Sequence, residues 1–127
     1  MKTLASSSDL NAALAADTAL VFKNSMTCPI SAAARREVEV LLSHRPDAPL
    51  YVLDTHEAAE LSADVARRTG IEHESPQMIL FQHGKPVWHA SHYSISAAEV
   101  ERALDGTKSG GRASTGERRR ASVEGGA

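Results

Sequence analysis

The sequence predicts an α/β fold, a central mixed sheet flanked by helices and followed by a disordered C-terminal tail. Three observations predict it. Continuous apolar runs of strand length, TALVFK at 18–23 and LYVL at 50–53, alternate with stretches of helical periodicity. Two further runs, 78–82 and 87–90, are separated only by a short turn containing Gly84 and read as an antiparallel hairpin. Residues 106–127 hold six of the eight glycines and no apolar residue larger than Val123, too little to offset the entropy of ordering them. The expected division is therefore a domain over 1–105 and a Gly/Arg/Ser-rich tail over 106–127.

Each element follows from local chemistry. A strand is expected to stand beside a short helix over 7–15, which opens on Ser and Asp and repeats Leu10, Ala13 and Leu14 on one face. The run 18–23 has the unbroken apolar character of a strand buried on both faces. Pro29 suits the first position of a helix, and from it Ile30, Ala34, Val38, Leu41 and Leu42 recur on one side to about His44. Pro46 and Pro49 punctuate a loop before the strand 50–53. A third helix is expected over 57–69, with Ala58, Leu61 and Val65 inward and Gly70 as its stop. In the hairpin, Pro86 must sit at a strand start or on an edge, because it cannot donate to a ladder. Ser96 and Glu99 form a capping box for a last helix carrying Val100 and Leu104, which Gly106 is expected to end. The order, an early parallel β-α-β crossover followed by a hairpin and a terminal helix, is the thioredoxin-like arrangement.

Charge and hydropathy exclude several function classes. At 127 residues the chain has room for one compact domain, and its longest apolar stretches fall far short of the roughly 20 residues a membrane span needs. The N-terminus lacks the apolar core of a secretory signal, so the expected compartment is the cytoplasm. A net charge of −2 gives no global positive field for nucleic acid. The tail differs: Lys108, Arg112, Arg118, Arg119 and Arg120 against Glu117 and Glu124 make it +3, leaving −5 for residues 1–105. Its RRRAS string, which resembles a kinase target at Ser122, is read as part of a solubilising tail.

The chain has one cysteine, so Cys28 can form no intramolecular disulfide and cannot build a structural cysteine-based zinc site. It stands directly after a predicted strand and before a predicted helix, where unsatisfied N–H groups and the helix dipole favour a thiolate. Three residues on is Ser31, making the motif C-x-x-S with no resolving thiol. A mixed disulfide formed on Cys28 must then be released by an external thiol. Ser31, one turn into the helix, is placed to hydrogen-bond the thiolate. Of the six histidines, His83, His89 and His92 fall in the hairpin region, but alternating strand positions do not converge on one tetrahedral site, so no metal is expected. Phe22, Phe81 and Trp88 are expected in the core.

The strings VFKNSMTCPIS, GIEHESPQMILFQHG and VWHASHYSI resemble the YtxJ-type, bacilliredoxin-like family of monothiol thioredoxin relatives over roughly residues 20–96. The resemblance implies redox chemistry on mixed disulfides between proteins and bacillithiol, with Cys28 as nucleophile, S-thiolated client proteins as partners, the small thiol as co-substrate and no tightly bound cofactor. It implies that Pro76 is the cis-proline facing the active cysteine, and that the backbone of Ser75 pairs with the substrate chain. Lys23 is expected to attract the carboxylates of an anionic thiol, bacillithiol or glutathione. Thr27, Pro29 and Gln77 are expected in the same groove, and His73, three residues before Pro76, is expected to approach Cys28 as a proton donor or acceptor. Two competing readings follow from the same motif: a monothiol glutaredoxin-like module bridging an iron–sulfur cluster, against which Pro29 argues by stiffening the loop, and a non-catalytic thioredoxin-like adaptor.

Overall fold

The computed structural model describes residues 1–25 and 29–108. Thr27, Cys28 and the tail beyond Lys108 therefore lie outside the described residues, as does the expectation that the tail is disordered. The elements are β1 (Lys2–Thr3), α1 (Ser7–Leu14), β2 (Thr18–Asn24), α2 (Pro29–His44), β3 (Leu50–Asp54), α3 (Ala59–Thr69), β4 (Gln77–Gln82), β5 (Lys85–Ser91) and α4 (Ala97–Lys108), with a short 3₁₀ turn at His92–Ser94. The strands form one mixed sheet in the order β1-β3-β2-β4-β5. β1 and β2 run parallel to β3, while β4 pairs antiparallel with both β2 and β5. The chain divides into two compact units at Ala97/Ala98, so the sheet and α1–α3 belong to the first and the body of α4 to the second.

The central strand explains the core. β2 is buried from Ala19 to Asn24 because it has a neighbour on each side and helices cover its faces. Ala19 and Val21 join Leu53, Ile79 and Phe81 on one face, where Leu10 and Ala13 of α1 and Leu61 and Val65 of α3 pack against them. Alternation sends Leu20, Phe22, Met78 and Leu80 to the other face, where they too are buried. α2 is the crossover between the parallel strands β2 and β3, and turns Ser31, Ala34, Val38 and Leu41 inward.

Local signals set most boundaries. Ser6 caps α1, its hydroxyl accepting the Asp9 N–H at 3.2 Å while the Asp9 carboxylate accepts the Ala5 N–H at 2.9 Å. The hairpin turns at His83 and Gly84, both with positive φ (53° and 80°), the pair of left-handed residues a tight hairpin turn needs. Pro86 lies on the edge strand β5 opposite Phe81, at a register shift that spares the ladder its missing donor.

Three expectations are corrected. The third helix starts at Ala59 rather than Glu57, because the Asp54 carboxylate accepts the N–H groups of His56 and Glu57 at 2.8 and 2.9 Å and holds them in a turn. These hydrogen bonds, that of Glu57 foremost, keep the Asp54 carboxyl below its usual range. The last helix does not end at Gly106 but continues to Lys108, with the Thr107 hydroxyl donating to the Leu104 carbonyl at 2.7 Å. Trp88 is only half-buried, because it lies on an edge strand rather than in the core. No helix among the described residues is long and apolar enough to cross a membrane.

Candidate functional site

Strand direction gathers the expected residues at one end of the sheet. Lys23 stands opposite Gln77 in the β2–β4 ladder and Asn24 opposite Asp54 in the β2–β3 ladder. The exits of β2 and β3, the start of α2 and the loop leading into β4 therefore meet beyond the carboxyl ends of the parallel strands, the place where open α/β sheets present their sites. Cys28 immediately precedes Pro29, the first residue of α2, whose first turn carries no acidic side chain to oppose a thiolate.

α2 is fastened to the exit of β2 by two side chains. Ser31 is wholly buried and its hydroxyl oxygen accepts the Ser25 N–H at 3.3 Å. One turn later the Arg35 guanidinium donates to the Asn24 side-chain oxygen at 3.1 Å and to the Ser25 carbonyl at 3.3 Å. Arg35 was not expected from sequence; its only signal is the i+4 spacing from Ser31 on the same helix. The clamp sets where α2 begins relative to β2, and so fixes both flanks of the segment that carries Cys28.

On the loop side, the Ser75–Pro76 peptide is cis. The Pro76 carbonyl accepts the His92 N–H at 3.0 Å, tying the head of β4 to the end of β5. The Ser75 hydroxyl is buried and has no hydrogen-bond partner among the described residues. Gln77 was expected in the substrate groove, but it is buried: its amide nitrogen donates to the Glu72 carbonyl at 3.0 Å and to the Ser91 hydroxyl at 3.3 Å. Its side-chain oxygen has no partner among the described residues.

Lys23 departs most from expectation. Its side chain is 0 % exposed, so its ammonium offers no direct contact to a carboxylate in solvent. The terminal nitrogen Nζ lies 3.2 Å from Nδ1 of His73, and the same Nδ1 lies 3.1 Å from the Ser62 hydroxyl of α3. Burial pushes the Lys23 ammonium down from 10.5 to about 8. His73 is also lowered, first by desolvation and then by the Lys23 charge, with Glu74 opposing. Both causes disfavour the imidazolium, and in the tautomer whose Nδ1 carries no proton the ring accepts from the Lys23 ammonium. His73 was expected to face Cys28; its described partners are Lys23 and Ser62. Beside this trio lies a cavity of about 350 Å³ lined by Thr55, Ser62, Ala63, Arg67 and His73 among others. The hairpin-region histidines take separate roles, His83 lying 3.6 Å from Asp17 and His92 3.0 Å from Glu74.

Comparison with known proteins adds the family context. The profile of the family described as monothiol bacilliredoxin BrxC matches residues 2–100. A solved structure with a thioredoxin fold is 32% identical, covering 81% of this chain and 92% of its own, with a TM-score of 0.77. Thioredoxin from Trypanosoma brucei brucei superposes with a TM-score of 0.70 at 13% identity, over 84% of this chain and 89% of its own. Fasciola hepatica thioredoxin does so at 0.66 and 18%, over 83% and 97%. The last two are similar in fold alone. Together these matches place the sheet and its helices in the thioredoxin fold.

Proposed function

Because the chain belongs to the monothiol bacilliredoxin family, whose chemistry is thiol–disulfide redox exchange, we propose that it reduces mixed disulfides between client proteins and bacillithiol. The observation that carries this reading is a family match over residues 2–100 on a chain whose one cysteine directly precedes the first residue of α2. The Cys28 thiolate attacks the bacillithiol sulfur of the client adduct. The bond between client sulfur and bacillithiol sulfur breaks, a bond from Cys28 to bacillithiol forms, and the client leaves as a thiolate that takes a proton from water. A second low-molecular-weight thiol then attacks the Cys28 adduct, leaves as the small-molecule disulfide and restores the thiolate, so two thiol electrons are spent per client.

The surrounding residues have assigned roles in this cycle. The open N–H groups of α2 beyond Pro29 stabilise the thiolate, and the Ser31 hydroxyl, which already accepts from Ser25, keeps its own proton for the Cys28 sulfur. Ser75 and Pro76, at the head of β4, receive the client backbone, while Thr27 and Lys23 serve the small thiol. The work is done in the cytoplasm, where thiols are kept reduced.

The test is intact-mass tracking of the reduced protein mixed with one client protein carrying either a bacillithiol or a glutathione adduct, with Cys28→Ser as control. Rapid transfer of bacillithiol mass to the protein, absent in the variant and slow from glutathione, is the expected result. No transfer from either adduct overturns the exchange reading and moves the weight to a cluster-binding module or an adaptor.

A further inference from the structure

Lysine is almost never fully buried without an acidic partner, because an unpaired ammonium in a low-dielectric interior is expensive. Lys23 is 0 % exposed, and its hydrogen-bond partner among the described residues is the His73 imidazole rather than a carboxylate. Glu74, the acid that acts on His73, is itself paired with His92 at 3.0 Å. From β3 Lys23 meets Leu53, from β4 Gln77, and the trio is completed by Ser62 of α3, none of them charged. A second buried group is incomplete at the same place. Gln77, directly across the ladder from Lys23 and 1 % exposed, has a side-chain oxygen with no donor among the described residues.

His73 is differently situated. It is exposed to solvent, although its Nδ1 reaches inward to Lys23 and Ser62. Turning its ring outward gives up those two contacts and disturbs no core packing. It also lines the cavity of about 350 Å³, as does Ser62, with Arg67 as a second cation on the rim. A carboxylate in the position of the imidazole would bring a full opposite charge to the ammonium, where the imidazole offers only a lone pair.

We propose that His73 is a latch over a buried cationic site: the carboxylate arm of the small thiol enters the cavity between α3 and the loop before β4 and replaces the imidazole as the acceptor of the Lys23 ammonium. This inference deepens the reading given above and rests on it for the identity of the small thiol. It also restores to Lys23 the ligand that its burial would otherwise exclude. Lys23 then discriminates thiols bearing a suitably placed carboxylate from neutral ones, and His73 competes with the ligand.

The competition makes the test specific. S-methylated bacillithiol, which cannot exchange, is titrated into the full chain beside the ester in which its carboxylates are methylated, with the backbone amide signals of Ser62 and Lys23 followed by NMR in every variant and the His73 ring signals in the unaltered chain. The expected result is a saturable shift with the acid and none with the ester. His73→Ala should bind the acid about tenfold tighter, as one competing hydrogen bond to a charged group is removed. Lys23→Met should bind acid and ester alike. Unchanged or weaker binding by His73→Ala, or equal binding of acid and ester by the unaltered chain, overturns the latch. The failures are separable: mass transfer to Cys28 without these effects sinks the latch alone, whereas absence of mass transfer sinks the exchange reading itself.

Discussion

At the scale of single residues, Lys23 links the site to stability. Its folded-state pKa of about 8 lies below the 10.5 of an unperturbed lysine, so between these values the unfolded chain binds a proton that the folded chain does not. Stability from this group is therefore fully present above pH 10.5 and lost as pH falls through 8. The full swing is roughly 3 kcal/mol. Lys23→Met, close in volume and without charge, should be more stable than the natural chain at pH 7 by up to that amount, with the gap closing as pH rises. Urea unfolding of both proteins at pH 7 and at pH 10 measures it; a gap that does not shrink contradicts the buried-ammonium account. A different outcome is expected at Ser31. Alanine there removes the hydroxyl that accepts the Ser25 N–H and should destabilise by about 1–3 kcal/mol, read as a lower urea midpoint with unchanged m-value. Position 31 was legible in sequence as part of C-x-x-S, but its backbone partner was not. The burial of Lys23 was illegible for a stronger reason: a lysine closing an apolar run reads as the solvated end of a strand, and the residue its ammonium bonds, His73, lies fifty residues away.

At the scale of elements, two glycines show where local reading succeeds and where it stops. Both follow a helical apolar stripe, and both were expected to end a helix. Gly70 does so, with φ of 72° and its N–H bonded to the Ala66 carbonyl at 2.9 Å. Gly106 lies inside α4, two residues before its end. Sequence alone does not separate a left-handed glycine from a helical one, because the residue lacks the Cβ that would decide. The same substitution should therefore have opposite signs. A Cβ meets nothing within 4 Å at either position, so backbone conformation alone sets the result. Gly70→Ala should destabilise by about 1–2 kcal/mol, and Gly106→Ala should stabilise α4 by up to about 1 kcal/mol. Urea midpoints read the first and far-ultraviolet helicity the second; two shifts of the same sign would contradict the assigned conformations. The strand and helix order was otherwise legible because each apolar run had the period and length of its element. The start of α3 was displaced by a side-chain cap, from Asp54, that periodicity does not register.

At the scale of the whole molecule, a single cysteine constrains both cycle and stability. The sheet order and the crossover through α2 bring the exit of β2, the start of α2 and the loop before β4 to one end, and this topology was legible from element order. The absence of a partner thiol was legible too, and it has a thermodynamic consequence. A protein that cycles between dithiol and internal disulfide changes the loop entropy of its unfolded chain at each turn, and its stability shifts with redox state. This chain cannot close such a loop, since Cys28 has no second cysteine to join. Its unfolded ensemble has the same connectivity whether Cys28 is free or carries a small thiol, so the urea m-value should be the same in both states. A difference in midpoint between two adducts then measures the contacts that each bound thiol makes in the folded protein. Equal m-values, with a higher midpoint for the bacillithiol adduct than for the adduct of a neutral thiol such as 2-mercaptoethanol, are expected if a cavity beside Lys23 receives the carboxylate. Equal midpoints for these two adducts would mean that the carboxylate makes no stabilising contact in the folded protein, and that the choice of thiol lies in kinetics or in the client.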